Sequence, residues 1–439
     1  MSTANDLIQL PPQEFIRFLR ENGISRFYFV YDRKAKKVLP SHASLQPIAD
    51  FIQGDRRDFM QHEGIFFQVT PKYDVLQAAF VHMTVRGAGA GGVRYWKYDT
   101  VEDYLRDGLR LSKGMTRKNA LAGLWWGGGK GVMAENPAIA KSDAGIRQFI
   151  YHAYGGLVTS IRGCYVTAED VGTNVSDMAN IFDTTRFTTC IPPEVGGSGN
   201  PSVPTARGVI CGMEGALDFL SGNTLAGKTV AVQGTGNVGV PLIKFLFEKG
   251  VSKIVACDVN PENVQRAKTA NPGKNLEVQI VDLGDQTIIA AACDILAPCA
   301  TGAILNPETI PDINAKIVCG AANNQLGDAQ RDDALLHERG VVYVPDFLTN
   351  RMGIVNCANE QYGYISNDPA IEKHFSRDWE HSVFQTTQRV LRQSRQTGAP
   401  PAKVAMRLAD ELSLQPHPIL GHRGQQIIDS LVANQWHEC

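Results

Sequence analysis

No apolar run in the 439 residues approaches the roughly eighteen that a membrane-crossing helix needs. The opening MSTANDLIQLPPQEF also lacks the basic run and apolar core of an export signal, so a cytoplasmic location and no membrane partner are expected. An excess of one charge is missing as well. With 43 Lys and Arg against 45 Asp and Glu, the formal net charge is −2, and nothing draws the chain toward nucleic acid. The nine cysteines, from Cys164 to Cys439, form no CxxC pair and no His/Cys spacing suited to zinc, so reduced core residues and no metal are expected. The closest two, Cys293 and Cys299, bracket the apolar ILAP and read as packing. Internal repeats and low-complexity segments are absent.

What is present fits a globular chain, 43% hydrophobic and 20% charged, too long for one ordinary core. Residues 64–85, GIFFQVTPKYDVLQAAFVHMTV, read as two strands about a polar turn. A helix is predicted from about Thr100 to Lys118, capped by Thr100 with Glu102 and Asp103 in its first turn. The Gly/Pro/Ser cluster GGSGNPSVPTARG marks a domain boundary, because strand and helix patterns alternate beyond it, as in a parallel sheet with helices on both faces. The division expected is residues 1–205, with an additional amino-terminal segment of about sixty, then 206–385, then carboxy-terminal helices 386–439 that pack back on the first domain. Within the additional segment, RFYFVYDRKAKKVL reads as a strand pair able to cover a sheet edge or build a subunit contact.

The strand KTVAVQ runs into Gly234, Thr235, Gly236, Asn237, Val238 and Gly239, the GxGxxG spacing that opens a helix. The glycines permit a tight turn, close approach of a pyrophosphate and close packing of helix on strand, while the helix amino end offers free N–H groups to phosphate. Asp258 ends the next strand nineteen residues after Gly239, where a carboxylate accepts from ribose hydroxyls and repels a 2′-phosphate; NAD is the expected cofactor.

A second cluster lies upstream. MTRKNALAGLWWGGGKGV sets Lys118 and Lys130 twelve residues apart, with Lys130 between glycines that would let backbone and substrate approach. A desolvated lysine beside another cation loses its proton readily and can serve as a base, while Lys118 holds an anion. Forty residues on, TAEDVGT supplies Asp170 to exchange protons with an amine. Trp125 and Trp126 read as core or interface packing rather than a ligand platform.

Taken together these residues resemble the glutamate, leucine, phenylalanine and valine dehydrogenase family, closest to its leucine branch. The likeness runs from about His62 to Leu412 and is dense in AGGVRYW, RLSKGMTRKNALAG with GGGKGV, YVTAEDVGT, GNPSVPTARG, and CDILAPCATGA with AANNQL. It implies an N-terminal substrate and oligomerisation domain with a mixed sheet, a doubly wound Rossmann domain, a homo-oligomer, and NAD-dependent exchange of an L-amino acid for its 2-oxo acid and ammonia. By the same resemblance Lys118 binds the α-carboxylate, Lys130 activates water, Asp170 moves protons at nitrogen, and Thr205 and Asn323 orient nicotinamide and amine. The side-chain pocket would be Ala90, Gly91, Met115, Ala168, Ile354 and Cys357. Glutamate enzymes carry lysine where Ala90 stands, so a nonpolar substrate is expected; leucine-type enzymes usually have leucine there and valine at the Cys357 position, so the pocket should be wider. The chain departs from the family at Asn350-Arg351-Met352-Gly353, where relatives read Asn-Ala-Gly-Gly, placing two long side chains beside the expected substrate wall. Two alternatives stay open: an acidic or polar substrate paired with Arg351, and a catalytically silent NAD-binding or assembly protein.

Overall fold

The computed structural model describes residues 7–438. In chain order the first half carries α1 (Pro12–Glu21), β1 (Arg26–Asp32), β2 (Lys37–Pro40), α2 (Gln46–Gly54), β3 (Gly64–Val69), β4 (Leu76–Met83), β5 (Gly89–Ala90), β6 (Val93–Trp96), α3 (Val101–Leu121), β7 (Gly127–Ala134), α4 (Ala144–Ser160), β8 (Tyr165–Val166) and α5 (Val175–Phe182). Its sheet runs β2-β1-β3-β4-β7-β5-β8, with β6 also on β7. Pairs from β2 to β7 are antiparallel, whereas β5 pairs parallel with both β7 and β8. The predicted strand pair at residues 64–85 is β3 and β4. The hairpin β1–β2 extends their sheet and covers the edge of β3, with Phe27 stacked on Phe67 at 4.5 Å between ring centres. Thr100 caps α3 as expected, its hydroxyl accepting from the Asp103 N–H.

The second half begins with α6 (Ser202–Ser221), which starts inside the Gly/Pro/Ser cluster. It continues through β9 (Thr229–Gln233), α7 (Gly239–Glu248), β10 (Lys253–Asp258), α8 (Pro261–Ala270), β11 (Leu276–Ile280), β12 (Ile295–Pro298), β13 (Ile317–Val318), α9 (Arg331–Glu338), β14 (Val342–Tyr343), α10 (Asp346–Thr349) and α11 (Met352–Glu360). Every strand pair is parallel, in the order β11-β10-β9-β12-β13-β14. The order reverses between β9 and β12, which opens a crevice at the carboxyl ends of the strands. The strand β11 escaped the sequence reading. It is an edge strand with only Val278 buried, although LEVQI alternates apolar and polar residues as a half-buried strand does.

The last elements are α12 (Pro369–Glu372), α13 (Val383–Thr397), α14 (Pro401–Ser413) and α15 (Arg423–Ala433). They divide their loyalties. Helix α13 lies on α6, where Gln388 Nε2 donates to the Gly215 carbonyl at 2.7 Å, and so belongs with the second sheet. Helix α14 meets α3 through Arg117 and Asp410 at 2.7 Å, and α15 returns to the first sheet, burying Ile428 and Leu431 and setting Trp436 edge-on to Phe66. Among the described residues no helix is long and apolar enough to cross a membrane, and no group of three or more His, Cys, Asp or Glu is placed to hold a metal.

Candidate active site

Lys130 sits in the middle of β7, a strand buried along its whole length. Its glycine neighbours answer to the protein rather than to a substrate: a Cβ on Gly129 would come within 2.5 Å of Tyr165, and one on Gly131 within 2.1 Å of the Tyr154 hydroxyl. The strand is thereby pressed against β5 and the tyrosines. Only 4% of the Lys130 side chain is exposed, and its Nζ lies 2.8 Å from Asp170 Oδ2. Arg94, from β6, donates to the same oxygen at 3.2 Å and reaches Asp107 of α3 at 3.0 Å, where the Tyr98 hydroxyl also donates at 2.7 Å.

Burial lowers the Lys130 pKa; Asp170 opposes the shift and Arg94 reinforces it. Burial alone would raise the Asp170 pKa, but Lys130 and Arg94 outweigh it and hold the carboxyl well below its ordinary value. Lys118, in the last turn of α3, is also pushed down by burial, with Asp346 opposing and Lys130 adding to the shift. Its Nζ approaches Asn323 Oδ1 at 3.4 Å, and Asn350 Nδ2 donates to that oxygen at 2.8 Å.

These groups open into one cavity of about 300 Å³, lined by Arg94, Met115, Lys118, Lys130, Asp170 and Asn323 among others. The remaining pocket residues lie apart from its surface. Ala90, Ala168, Ile354 and Cys357 fall in a single buried apolar cluster against which Met115 packs, so Met115 joins that cluster to the cavity. Gly91 is glycine by necessity, since a Cβ would stand 2.0 Å from the Gly129 carbonyl oxygen and 2.9 Å from Met115 Cγ. Thr205, in the first turn of α6, donates to the Pro201 carbonyl at 2.9 Å and faces Gly353 rather than lining the cavity.

Arg351 and Met352 do not stand beside the substrate wall. Arg351 is fully buried and donates to the Leu121 carbonyl at 2.7 Å, the His381 carbonyl and the Thr386 hydroxyl, while Met352 is in the core that holds α6, where a Cβ on Gly208 would meet it at 2.7 Å. This corrects the expectation drawn from the sequence. A guanidinium so engaged cannot receive a distal carboxylate, and the acidic-substrate alternative loses the residue it rested on.

At the second sheet, Gly234 turns with φ +92°, Gly239 has no room for a Cβ, which would lie 2.0 Å from the Gly234 carbonyl, and Gly236 faces open space. That division of tasks fits a dinucleotide pyrophosphate, which needs the opening at the second glycine and the amino end of α7 behind it. Thr235 is buried and its N–H donates to Asp258 Oδ2 at 2.7 Å, while Asn260 N–H donates to Oδ1 at 2.8 Å. Asn237 is exposed and Val238 half-buried at the start of α7. Asp258 borders a crevice of about 160 Å³ together with Gly234, Asp282, Asp285 and Ala300.

Two family profiles match: Glutamate/Leucine/Phenylalanine/Valine dehydrogenase over residues 196–411, and the Glu/Leu/Phe/Val dehydrogenase dimerisation domain over residues 67–187. The chain is 41% identical to leucine dehydrogenase of Bacillus subtilis, covering 79% of this chain and 93% of that protein. It belongs to the Glu/Leu/Phe/Val dehydrogenase family. Valine dehydrogenase of Streptomyces virginiae is 38% identical over 75% of this chain and 88% of its own. In the crystal structure of L-tryptophan dehydrogenase from Nostoc punctiforme, 31% identical, the likeness covers 80% of this chain and 96% of that one at a TM-score of 0.65.

The chain is thus an amino-acid dehydrogenase that works with a nicotinamide cofactor. Two residues of this dehydrogenase's cavity, Arg94 and Asp346, were not singled out from sequence, nor was the role of Asn350 outside it as the clamp on Asn323. Arg94 stands in AGGVRYW, and an arginine on a strand beside a glycine pair was the available signal. Asp346 follows the strand VVY at the carboxyl end of a parallel sheet, where ligand-facing residues concentrate.

Proposed function

We propose that this dehydrogenase oxidatively deaminates nonpolar L-amino acids to 2-oxo acids and ammonia, and runs the reverse, with NAD. The reading is carried by one observation: a buried Lys130–Asp170 pair at 2.8 Å that shares a cavity with Lys118 and borders an uncharged wall. Lys118 holds the α-carboxylate, because a cation at the cavity surface without a bonded carboxylate is free to take one. Asn323, fixed by Asn350, orients the amine. Asp170, kept ionised, takes a proton from the substrate nitrogen. Lys130 in its neutral form draws a proton from the water that attacks the imine carbon, and hands it on toward nitrogen as the C–N bond breaks. The bound nicotinamide supplies the hydride acceptor. The apolar residues around Ala90 and Cys357 select the side chain, and Thr205 orients the carboxamide of the cofactor.

NAD rather than NADP is favoured because three carboxylates, Asp258, Asp282 and Asp285, border the crevice that would meet the ribose, and each repels a 2′-phosphate. We place the domain division within residues 196–208 and expect a homo-oligomer. The reading is tested by kcat/KM of the wild type for leucine, phenylalanine and glutamate. The nonpolar substrates should win, and a glutamate advantage would end the assignment.

A further inference from the structure

A second cavity, of about 370 Å³, opens between the Gly123–Trp126 turn that leads into β7, the end of α11 and the segment from α12 to His381. It shares no lining residue with the first. Its walls are cationic. Arg86, 4% exposed, bonds only neutral oxygens: the Leu124 carbonyl at 2.9 Å, the Leu412 carbonyl at 3.0 Å and Gln415 Oε1 at 2.9 Å. Lys373 holds its ammonium 4.5 Å over the ring of Trp379, and His374, 3% exposed, lines the cavity as a neutral ring with no partner for Nδ1.

More positive charge stands nearby. Arg351 bonds only neutral oxygens and leaves Nε unpartnered, and Arg389 has buried Nε and Nη2 atoms without partners. Burial, then Arg351 and Lys373, drive the His374 pKa down to about 2, and burial pushes His381 down as well, with Glu380 opposing and the arginines adding to the shift. Among the described residues no carboxylate lines the cavity. Glu380 stands 3.7 Å from His381 Nε2 and opposes the downward shifts of His381 and Arg389, but its side chain is 77% exposed and does not line the cavity, where Arg86 and Lys373 are left without a carboxylate. Buried guanidinium groups facing neutral oxygens are costly, and an anion among them would recover that cost.

The rest of the wall is flat. Trp125 carries the Arg86 guanidinium 4.3 Å from its ring centre and is 41% exposed, Trp126 stands beside it, and Trp379 meets His374 edge-on at 4.5 Å. Tryptophan rings suit a planar body packed offset or edge-on, the neighbouring cations suit negative charge on it, and the volume suits one small ligand. We propose that this cavity binds a small planar organic anion, a carboxylate or phosphate carried on an aromatic ring, at a site separate from substrate and nicotinamide cofactor. Trp125 is then a ligand platform, contrary to the packing role its sequence suggests.

The cavity reaches the catalytic half through two short connections. Helix α11 places Ile354 and Cys357 in the apolar cluster and Ala358 and Asn359 at the cavity. The Gly123–Trp126 turn runs directly into the strand of Lys130.

The experiment titrates the whole protein with adenosine 5′-monophosphate, indole-3-acetate and inorganic phosphate in separate calorimetric runs. It compares wild type with Lys373→Gln and Trp125→Ser, both exposed positions whose variants should keep the wild-type circular dichroism. Saturable binding of the nucleotide or the aromatic acid, weakened about tenfold by each variant, the scale of one charge or cation–π contact, supports the site and says which source of anion it takes. Binding that both variants leave unchanged belongs to the dinucleotide or substrate site and overturns the proposal, as does no binding at millimolar concentrations. Inorganic phosphate bound as tightly as the larger anions would remove the planar part of it.

Discussion

A lysine that is to accept a proton near neutrality must lose the stabilisation water gives its charged form without gaining too much from a carboxylate. Lys130 is balanced between burial and Arg94, which lower its pKa, and Asp170, which raises it. Lys130→Ala should reduce kcat by about 10²- to 10⁴-fold, the range for loss of a general base, with near-normal turnover fatal to the mechanism. Arg94→Gln removes a cation that lowers the Lys130 pKa, so the rising limb of kcat/KM for deamination should move to higher pH; a limb that stays in place would exclude Arg94 from tuning the base. Next door, burial raises Glu169 to about 7, and its Oε2 has no partner. A raised carboxyl pKa means that folding favours the protonated form, so its ionisation erodes stability as pH rises from the ordinary value of 4.5 through about 7. Glu169→Gln should therefore raise Tm at pH 8 and change it little at pH 4, in melts followed across that window.

Elements determine whether these residues can meet. Strand β5 is two residues long and lies between β7 and β8, so close that Gly91, just beyond it, has no space for a methyl group. Gly91→Ala should lower stability by at least the ~1–3 kcal/mol typical of overpacking, read as a lower denaturant midpoint, together with a raised KM as Met115 is displaced. Unchanged stability would show that the β5–β7 contact yields easily. At the other sheet Asp258 takes two backbone N–H groups before any ribose arrives. Asp258→Ser should narrow the preference for NAD over NADP in kcat/KM, and a wild type that favours NADP would refute the role given to this carboxylate. The GxGxxG turn, the capped helix α3 and the strand pair β3–β4 were legible because spacing and caps are local properties. The edge strand β11 carries the same kind of local signal in the alternation of LEVQI, but with Val278 alone buried it adds little to the core that marks the other strands.

At the scale of the molecule, the additional amino-terminal segment completes the first domain. Phe15, Leu19, Ile48 and Ile52 close over Phe27 and Phe67 in one buried cluster, and β1 occupies the edge of β3. Removing the first sixty residues should expose that edge and an aromatic face, and size-exclusion chromatography should then show aggregated protein. A well-behaved truncated species of normal activity would mean that the segment is dispensable to the core.

The sequence by itself determined the class of chemistry: two lysines, an aspartate and a glycine-rich turn at family spacing identify an amino-acid dehydrogenase, and their residue types limit what each can do. It could not say where Arg351 points, because a side chain six bonds long reaches either the substrate wall or the interior, and only the packing of α11 against Leu121, His381 and Thr386 decides. Nor could it join Arg94 to Asp170 across 76 residues, or gather Arg86, Trp125 and His374 around one cavity. Those are long-range juxtapositions, set when the two sheets and the returning carboxy-terminal helices close on one another, and no local pattern in the chain encodes them.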